Sequence, residues 1–261
     1  MFPNAHGGER PILVVGAGVV GASVAYHLAR AGHPVLVLEQ DQAASGVTRS
    51  SFAWVGVAKS TASAYSDGLR AEAAREFARL ERELHTPFGL RRRGAITWEA
   101  SEAATRAFVL GHQAVGHPAE LIDRAEVLAR EPGLRDSPAV AALSARDAGV
   151  DPVAFTRALL DAACAHGASV RHGVTVTSLL IEGRRVLGTQ TPGGPLLGST
   201  VVLAAGTATA GLAATAGSAV DVDTSSPAGR CRGREHRCLG SRLRCRDCTS
   251  RWPIPRSSCR R

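Results

Sequence analysis

Residues 11–39 read PILVVGAGVVGASVAYHLARAGHPVLVLE, and the rest of the chain is organised around them. An apolar run, Ile12 to Val15, stops at Gly16-Ala17-Gly18-Val19-Val20-Gly21. A helical stretch follows from Ala22 to Ala31, then Gly32 and a second apolar run, Val35 to Leu38, closed by Glu39. The order strand, glycine turn, helix, strand, acid is that of a dinucleotide-binding unit. Gly16 permits a tight turn out of the strand. Gly18 has no side chain to keep a pyrophosphate from the backbone, and Gly21 lets the helix lie close on the strands. The helix N-terminus offers N–H groups and the positive end of a dipole to phosphate. At Glu39, a carboxylate can accept hydrogen bonds from both hydroxyls of an adenosine ribose. Glycines also gather in ordinary turns, so the weight rests on the agreement of strand, helix and acid around them.

The 261 residues are 44% hydrophobic and 4% aromatic, enough chain for one large domain or two smaller ones. No apolar stretch approaches the length of a membrane span. The opening MFPNAHGGERP lacks a basic start and an apolar core, so no signal peptide is expected and the expected location is cytoplasmic. The formal charge of +8 suggests nucleic acid until it is localised. Ala228 to Arg261 holds eleven Arg, no Lys, one Glu and one Asp, and so carries +9, which leaves residues 1–227 at about −1. A nucleic-acid partner is therefore not expected of the folded part. Five of the six Cys (Cys231, Cys238, Cys245, Cys248 and Cys259) lie in that same segment, and Cys164 alone belongs to the body. One thiol in the body implies no disulfide framework.

Residues 40–60, QDQAASGVTRSSFAWVGVAKS, form a loop too long for a connector, and such loops in compact domains are usually functional. Residues 61–85 read as a helix whose stripe is Leu69, Ala73, Phe77, Leu80 and Leu84; Arg75, Glu76, Arg79, Glu81, Arg82 and Glu83 make a solvated face, with Arg79 and Glu83 one turn apart. Phe88 to Trp98 is extended with a bend at Gly94, and Arg91-Arg92-Arg93 reads as a solvated run. Ser101 caps a helix to about Val115. Asp123 with Glu126 has the capping-box form before a short helix that Pro132 and Gly133 end. Ala139 to Ser144 reads as a strand. Asp151-Pro152 starts a helix that stops at Gly167. Three strands are expected next, Ser169–His172 into Val174–Ile181 and then Arg185–Thr191, followed by a buried strand from Leu196 to Ala205 and a helix over Thr207–Ala216. Neither a Ser-His-Asp set nor a metal-ligand spacing stands out in residues 1–227. His27, His33, His85, His112, His117, His166 and His172 are scattered and read as surface or capping residues.

The succession of a nucleotide unit, a Ser/Thr/Gly loop, an αβ insertion, a capped VDP helix, a meander and VVLAAG resembles the D-amino-acid-oxidase family of FAD-dependent oxidoreductases, which includes glycine and sarcosine oxidases. The matching stretches are VVGAGVVGASVAYHLARAGHPVLVLEQ, ASGVTRSSFAW, VDPVAFTRALLDAACAHGASV, VTVTSLLIEGRRVLGTQTPGG and VVLAAG, between residues 11 and about 220. The resemblance implies FAD as cofactor. It places Gly16, Gly18, Val19, Val20 and Gly21 at the pyrophosphate, Glu39 at the adenosine ribose, and Thr48, Arg49 and Ser50 along the pyrophosphate and ribityl chain, with Gln40 also among the cofactor-binding residues. Ala53 and Trp54 would approach the flavin ring, Val176 would meet adenine through its backbone, and Ala205 and Gly206 would pass beside the cofactor. The implied chemistry is oxidation of the C–N bond of a small amine or amino acid with flavin as hydride acceptor, the protein binding, orienting and excluding water. No catalytic side chain is singled out.

The implied fold is α/β: a Rossmann-like FAD-binding domain, with a parallel sheet, flanking helices and a β-meander, into which an incomplete α+β substrate domain is inserted. The expected boundaries are 1–84 and 151–227 for the FAD-binding domain, 85–150 for the partial substrate domain and 228–261 for an Arg/Cys-rich tail. Alternatives are an NAD(P)-linked Rossmann dehydrogenase and a non-catalytic nucleotide-binding fragment. The tail has three readings: a zinc module from Cys231, His236, Cys238, Cys245 and Cys248, a basic tail for nucleic acid or membrane, and out-of-frame coding sequence without a selected structure. The last is favoured by the abundance of Arg, Cys, Ser, Gly and Pro, and the chain is then expected to lack the segments that cover the flavin. Sequencing the coding DNA tests this: a frame shifted at codon 227 should restore alternating apolar segments and a late glycine-rich motif.

Overall fold

A computed structural model of the chain describes residues 9–56, 64–222 and 235–238, with backbone only for 64–67, 71 and 235–238. The chain divides into two units, Met1–Ser51, Glu81–Gly89 and Asp151–Ser225 in the first, Phe52–Leu80, Leu90–Val150 and Ser226–Arg261 in the second.

The first unit is built on a parallel sheet. β1 (Ile12–Val15), β2 (Val35–Leu38), β8 (Ser169–Arg171) and β12 (Thr200–Leu203) lie in the order β12-β1-β2-β8. β1 runs parallel to both neighbours, with Ile12 opposite Val35 and Thr200. Parallel strands must be joined by crossovers that cover the faces, so the strands read as unbroken apolar runs. Leu13, Leu36 and Leu38 point to one face, where Val174, Val176, Leu196 and Val201 pack on them. Alternation sends Val14, Val35 and Val37 to the other face, and all three are buried. The crossovers are α1 (Val19–Arg30), which buries mainly small residues (Gly21, Ala22, Ala25 and Ala29, beside Tyr26), and α5 (Pro152–Ala165), which buries Ala158 and Ala163 together with Phe155, Leu159 and Leu160. Small side chains let the two helices lie close to each other.

α5 starts where Asp151-Pro152 predicts. The Asp151 carboxylate accepts from the N–H groups of Val153 and Ala154, both at 2.9 Å. Gly167, at φ +94°, turns the chain into β8. Here the structure departs from the expected three strands. Ser169–Arg171 joins the parallel sheet beside β2, and the meander is β9 (Ser178–Glu182), β10 (Arg185–Thr191) and β11 (Gly194–Leu197). Val174 is held by the Glu39 carbonyl at 2.9 Å and does not begin a strand. The run Leu196–Ala205 is likewise two strands. Leu196 and Leu197 pair antiparallel with β10, then the chain breaks at Gly198-Ser199 and Thr200–Leu203 pairs parallel with β1. A Cβ at Gly198 would lie 2.7 Å from the Leu13 side chain, so the break passes closely over the first strand. β12 is half-buried, not buried.

In the second unit, β4 (Ala95–Trp98), β5 (Ala119–Asp123), β6 (Val140–Ser144) and β13 (Glu235–Cys238) form an antiparallel sheet in the order β13-β4-β6-β5. β6 is buried at every residue. Its Ala141 and Leu143 join Ile96, Ile122, Leu134 and Val127 of α4 (Arg124–Arg130), whereas Ala142 joins Ala119 and Val109 of α3 (Glu102–Ala114). Both helices begin as their sequences predict, with Ser101 accepting from Ala104 N–H at 3.1 Å and Asp123 from Glu126 N–H at 2.9 Å. β5 has no alternation that would reveal it in sequence. Four residues of the Arg/Cys-rich segment, expected to have no structure, form β13; the rest of the segment, and the proposed zinc ligands' side chains, lie outside the described residues. A short ribbon pairs β3 (Trp54–Val55) with β7 (Ala148–Gly149).

α2 (Ala64–Glu83) buries its predicted stripe only at the C-terminal end. Leu80 and Leu84 are buried, Phe77 is half-buried, and Leu69 is 67% exposed. Arg79 pairs with Glu76 through Nε at 2.8 Å. Glu83 accepts from the buried Tyr26 hydroxyl at 2.8 Å, fixing the end of α2 on α1. His112 also departs from expectation. It is only 2% exposed, on the inner side of α3, with its ring centroid 4.4 Å from that of Phe108.

No helix among the described residues is long and apolar enough to cross a membrane. Cys164 on α5 is a free thiol pushed above its ordinary pKa, first by burial and then by the negative charge of Asp161. A raised pKa means less thiolate at neutral pH. Peptide-mapped iodoacetamide labelling at Cys164 should therefore lag behind that of free cysteine and catch up only at higher pH. Asp151→Ala should cost about 1 kcal/mol in urea unfolding through loss of the cap, with Asp151→Asn recovering most of it.

Candidate dinucleotide site

The site is built from one turn outward. β1 ends at Gly16, whose φ of +103° is a left-handed conformation that side chains disfavour. Gly16 N–H donates to the Leu38 carbonyl at 2.8 Å, and Ala204 N–H donates to the Val15 carbonyl at 2.8 Å. The turn thus passes between the C-terminal ends of β2 and β12. A Cβ at Gly16 would stand 2.5 Å from the Ala204 carbonyl oxygen and 3.1 Å from Ala205 Cα. At Gly21 a Cβ would overlap the Gly16 carbonyl oxygen and reach 3.3 Å from Ala204 Cβ. These two glycines are required by the fold itself. Gly18 is different: a Cβ there would meet only the Thr48 hydroxyl, at 3.2 Å.

Gly18 is the N-cap of α1 and has no side chain to cap it. Thr48 supplies the cap from across the loop, its Oγ1 accepting from Val19 N–H at 3.1 Å. The N–H groups of Val20 and Gly21 belong to the same first turn, where no intrahelical acceptor exists. Val20 itself is 63% exposed, so the end of α1 is open to solvent.

Glu39 reaches back to the turn. Its Oε2 accepts from Ala17 N–H at 2.7 Å and its Oε1 from Asp41 N–H at 2.9 Å. The Ala17 carbonyl in turn accepts from Ala44 N–H at 3.0 Å. Ala44 is buried at φ +63°, and beyond it the short 3-10 helix Val47–Ser50 carries Thr48 to α1. Gln40, Arg49 and Ser50 are exposed on this loop. Val176 packs on the cluster of Leu13, Leu36 and Leu38 under the sheet, and Ala205 and Gly206 continue β12 past Gly16 into a 3-10 turn at Gly206–Ala208.

The first unit therefore gathers Gly16, Gly18, Val19, Val20, Gly21, Glu39, Thr48 and Ala205 at one end of the parallel sheet. Ala53 and Trp54 belong to the second unit, where Trp54 pairs with Gly149. Sequence reasoning assigned no role to Ala17 and Ala44, and read Ala204 only as part of a small-residue strand end. They act through backbone groups, and only the small residues around them hinted at close passage. Among the described residues, no three His, Cys, Asp or Glu side chains gather as a metal-binding group.

A parallel sheet with helices on one face, a meander on the other and a glycine turn opening a helix beside a strand-end acid is a Rossmann-like dinucleotide-binding fold. Comparison with known proteins narrows the class. The family model for FAD-dependent oxidoreductases of the D-amino-acid-oxidase (DAO) type matches residues 11–233, and the chain belongs to that family. Among curated relatives, a D-amino acid dehydrogenase of Phenylobacterium zucineum is 28% identical, over 75% of this chain and 59% of its own length. One from Cereibacter sphaeroides is 31% identical over 79% and 60%. Among solved structures, glycine oxidase from Geobacillus kaustophilus superposes with a TM-score of 0.73 at 25% identity, covering 80% of this chain and 58% of the enzyme. The chain thus spans about three-fifths of the length of these relatives.

The two kinds of glycine can be told apart by substitution. Gly21→Ala should cost about 2–3 kcal/mol in urea unfolding, because its Cβ has backbone, not a flexible side chain, in its way. Gly18→Ala should cost under about 1 kcal/mol, since only the Thr48 hydroxyl must give.

Proposed function

We propose that this chain binds FAD at the Gly16–Gly21 turn and serves the oxidation of a C–N bond in a small amine or amino acid. The observation that carries the reading is the pairing of the Glu39 carboxylate with Ala17 N–H at 2.7 Å, which holds an acid at the mouth of the glycine turn. Each carboxylate oxygen has a second lone pair, so Glu39 can accept ribose hydroxyls while keeping its backbone partners. A negative charge there also disfavours a 2′-phosphate.

The remaining residues fit the same group. Val20 and Gly21 N–H, at the open end of α1, would hold the pyrophosphate. The Thr48 hydroxyl, already accepting from Val19, would donate its proton to a phosphate oxygen. Gln40 would stand beside the ribose, and Arg49 and Ser50 along the pyrophosphate and ribityl chain. Val176 would meet adenine through its backbone, and Ala205-Gly206 would pass beside the cofactor. Ala53 and Trp54 are assigned to the flavin ring by the family pattern. Residues 85–150 are read as a partial substrate domain.

FAD supplies hydride acceptance from the carbon next to the substrate nitrogen; the protein's part is to bind, orient and exclude water. Amino acids are favoured as substrates because the relatives are named for them. The meander and the return of β12 to the turn favour FAD over a nicotinamide cofactor.

Titration of the purified chain with FAD should give near-stoichiometric visible flavin absorbance, bleached anaerobically by D-amino acids or glycine. Retention of FAD without bleaching by any amine would leave a nucleotide-binding protein and sink the catalytic part. Glu39→Gln keeps an acceptor for Ala17 N–H and should weaken FAD by about tenfold, with a much smaller change in stability.

A further inference from the structure

The strand order of the parallel sheet gives a bound dinucleotide a direction. The glycine turn lies at the end of β1 and Glu39 at the end of β2, and β2 stands between β1 and β8. A nucleotide whose phosphates meet the turn and whose ribose meets Glu39 therefore carries its base onward, past β2 and over the end of β8. The first residues beyond that end are His172 and Gly173. His172 is exposed and takes no part in the core.

The ends of β2 and β8 are tied together at three points. Glu39 N–H donates to the Arg171 carbonyl and Val174 N–H to the Glu39 carbonyl, both at 2.9 Å. The third tie is the His172 side chain, whose Nδ1 lies 3.1 Å from the Asp41 carbonyl oxygen. The same Asp41 gives its N–H to Glu39 Oε1 at 2.9 Å, so His172 is one residue removed from the acid proposed to hold the ribose. A carbonyl oxygen only accepts, so Nδ1 must carry the hydrogen. A neutral imidazole has one donor and one acceptor, and Nε2 is then left with its lone pair, on the side of the ring away from Asp41. The main chain thus sets the tautomer, and the ring offers an acceptor at the end of the sheet where the base would lie. Gly173 follows at φ +72°, and a Cβ added there would meet nothing within 4 Å, so the chain beside His172 is open.

We propose that His172 is a specificity residue for the base of the cofactor: its Nε2 accepts a hydrogen from the 6-amino group of adenine and so favours adenine over a 6-oxopurine. Hypoxanthine and guanine carry a carbonyl oxygen at that position, whose lone pairs would face the lone pair of Nε2. The amino group has two hydrogens, so His172 and the backbone of Val176 can both engage the same base. This inference rests on the FAD reading above and deepens it.

The test measures FAD, ADP and IDP binding to the full chain by calorimetry in mildly alkaline buffer, for wild type and His172→Ala. Wild type should prefer ADP to IDP. His172→Ala should weaken ADP and FAD by about fivefold and leave IDP unchanged or tighter, so the preference falls by at least that factor. A His172 that only holds Asp41 in place would instead weaken ADP and IDP alike. Equal losses, an unchanged ratio, or a wild type without preference would each overturn the proposal. Long-range proton–nitrogen spectra of the wild-type imidazoles, assigned with His172→Gln, supply a readout that does not depend on how the Ala variant folds. They should show the Nδ1–H tautomer at His172 and an Nε2 resonance that moves on addition of ADP; an Nε2–H tautomer or an unmoved resonance overturns the proposal. A chain that binds FAD and ADP yet fails these tests loses the role of His172 alone, whereas one that binds none of the three ligands loses the FAD reading itself.

Discussion

The backbone of Ala17 is the node on which the first unit depends. Its N–H is taken by Glu39, from the end of β2, and its carbonyl by Ala44, from the loop beyond. One peptide thereby ties the glycine turn to the second strand and to the segment that delivers Thr48 to α1. Gly16 makes this possible by turning through a left-handed conformation, and Ala204 and Ala205 leave no room there for any side chain. Glu39 thus satisfies two backbone donors at the strand end, those of Ala17 and Asp41.

Much of this unit was legible in residues 11–39, because local pattern and tertiary role coincide there. Strand, turn and helix each have their own composition, and the spacing between them is fixed by a single crossover. Caps were legible for the same reason: Ser101, Asp123 and Asp151 bond N–H groups two or three residues away. Legibility failed where one apolar run serves two partners. Nothing in Leu196–Ala205 says that its first residues pair with β10 and its later ones with β1, since both environments ask for the same side chains. It failed also for Ser169–Arg171, whose place beside β2 is set by a strand more than a hundred residues earlier.

The second unit shows a different limit. α2 has a regular apolar stripe, yet Leu69 is largely exposed while Leu80 and Leu84 are buried. Periodicity reports which face could be covered and not how far along the helix the cover extends. His112 makes the converse point: a residue read as surface lies against Phe108 on the inner side of α3. Of the candidate site, the glycines, Glu39 and Thr48 carried a chemical signature in their side chains or in the lack of one. Ala17, Ala44 and Ala204 carried none, and the bond between Trp54 and Asp147 joins residues 93 positions apart.

The pairing of β1 with β12 has a consequence for how the chain is made. Ile12 must wait for Thr200 before its second edge is filled. During synthesis at roughly 5–20 residues per second, the first strand, its helix and its neighbour are out for about 8–33 seconds with one side of β1 bare. Such a distant closure is entropically slow to find and leaves an unpaired parallel edge in the interval.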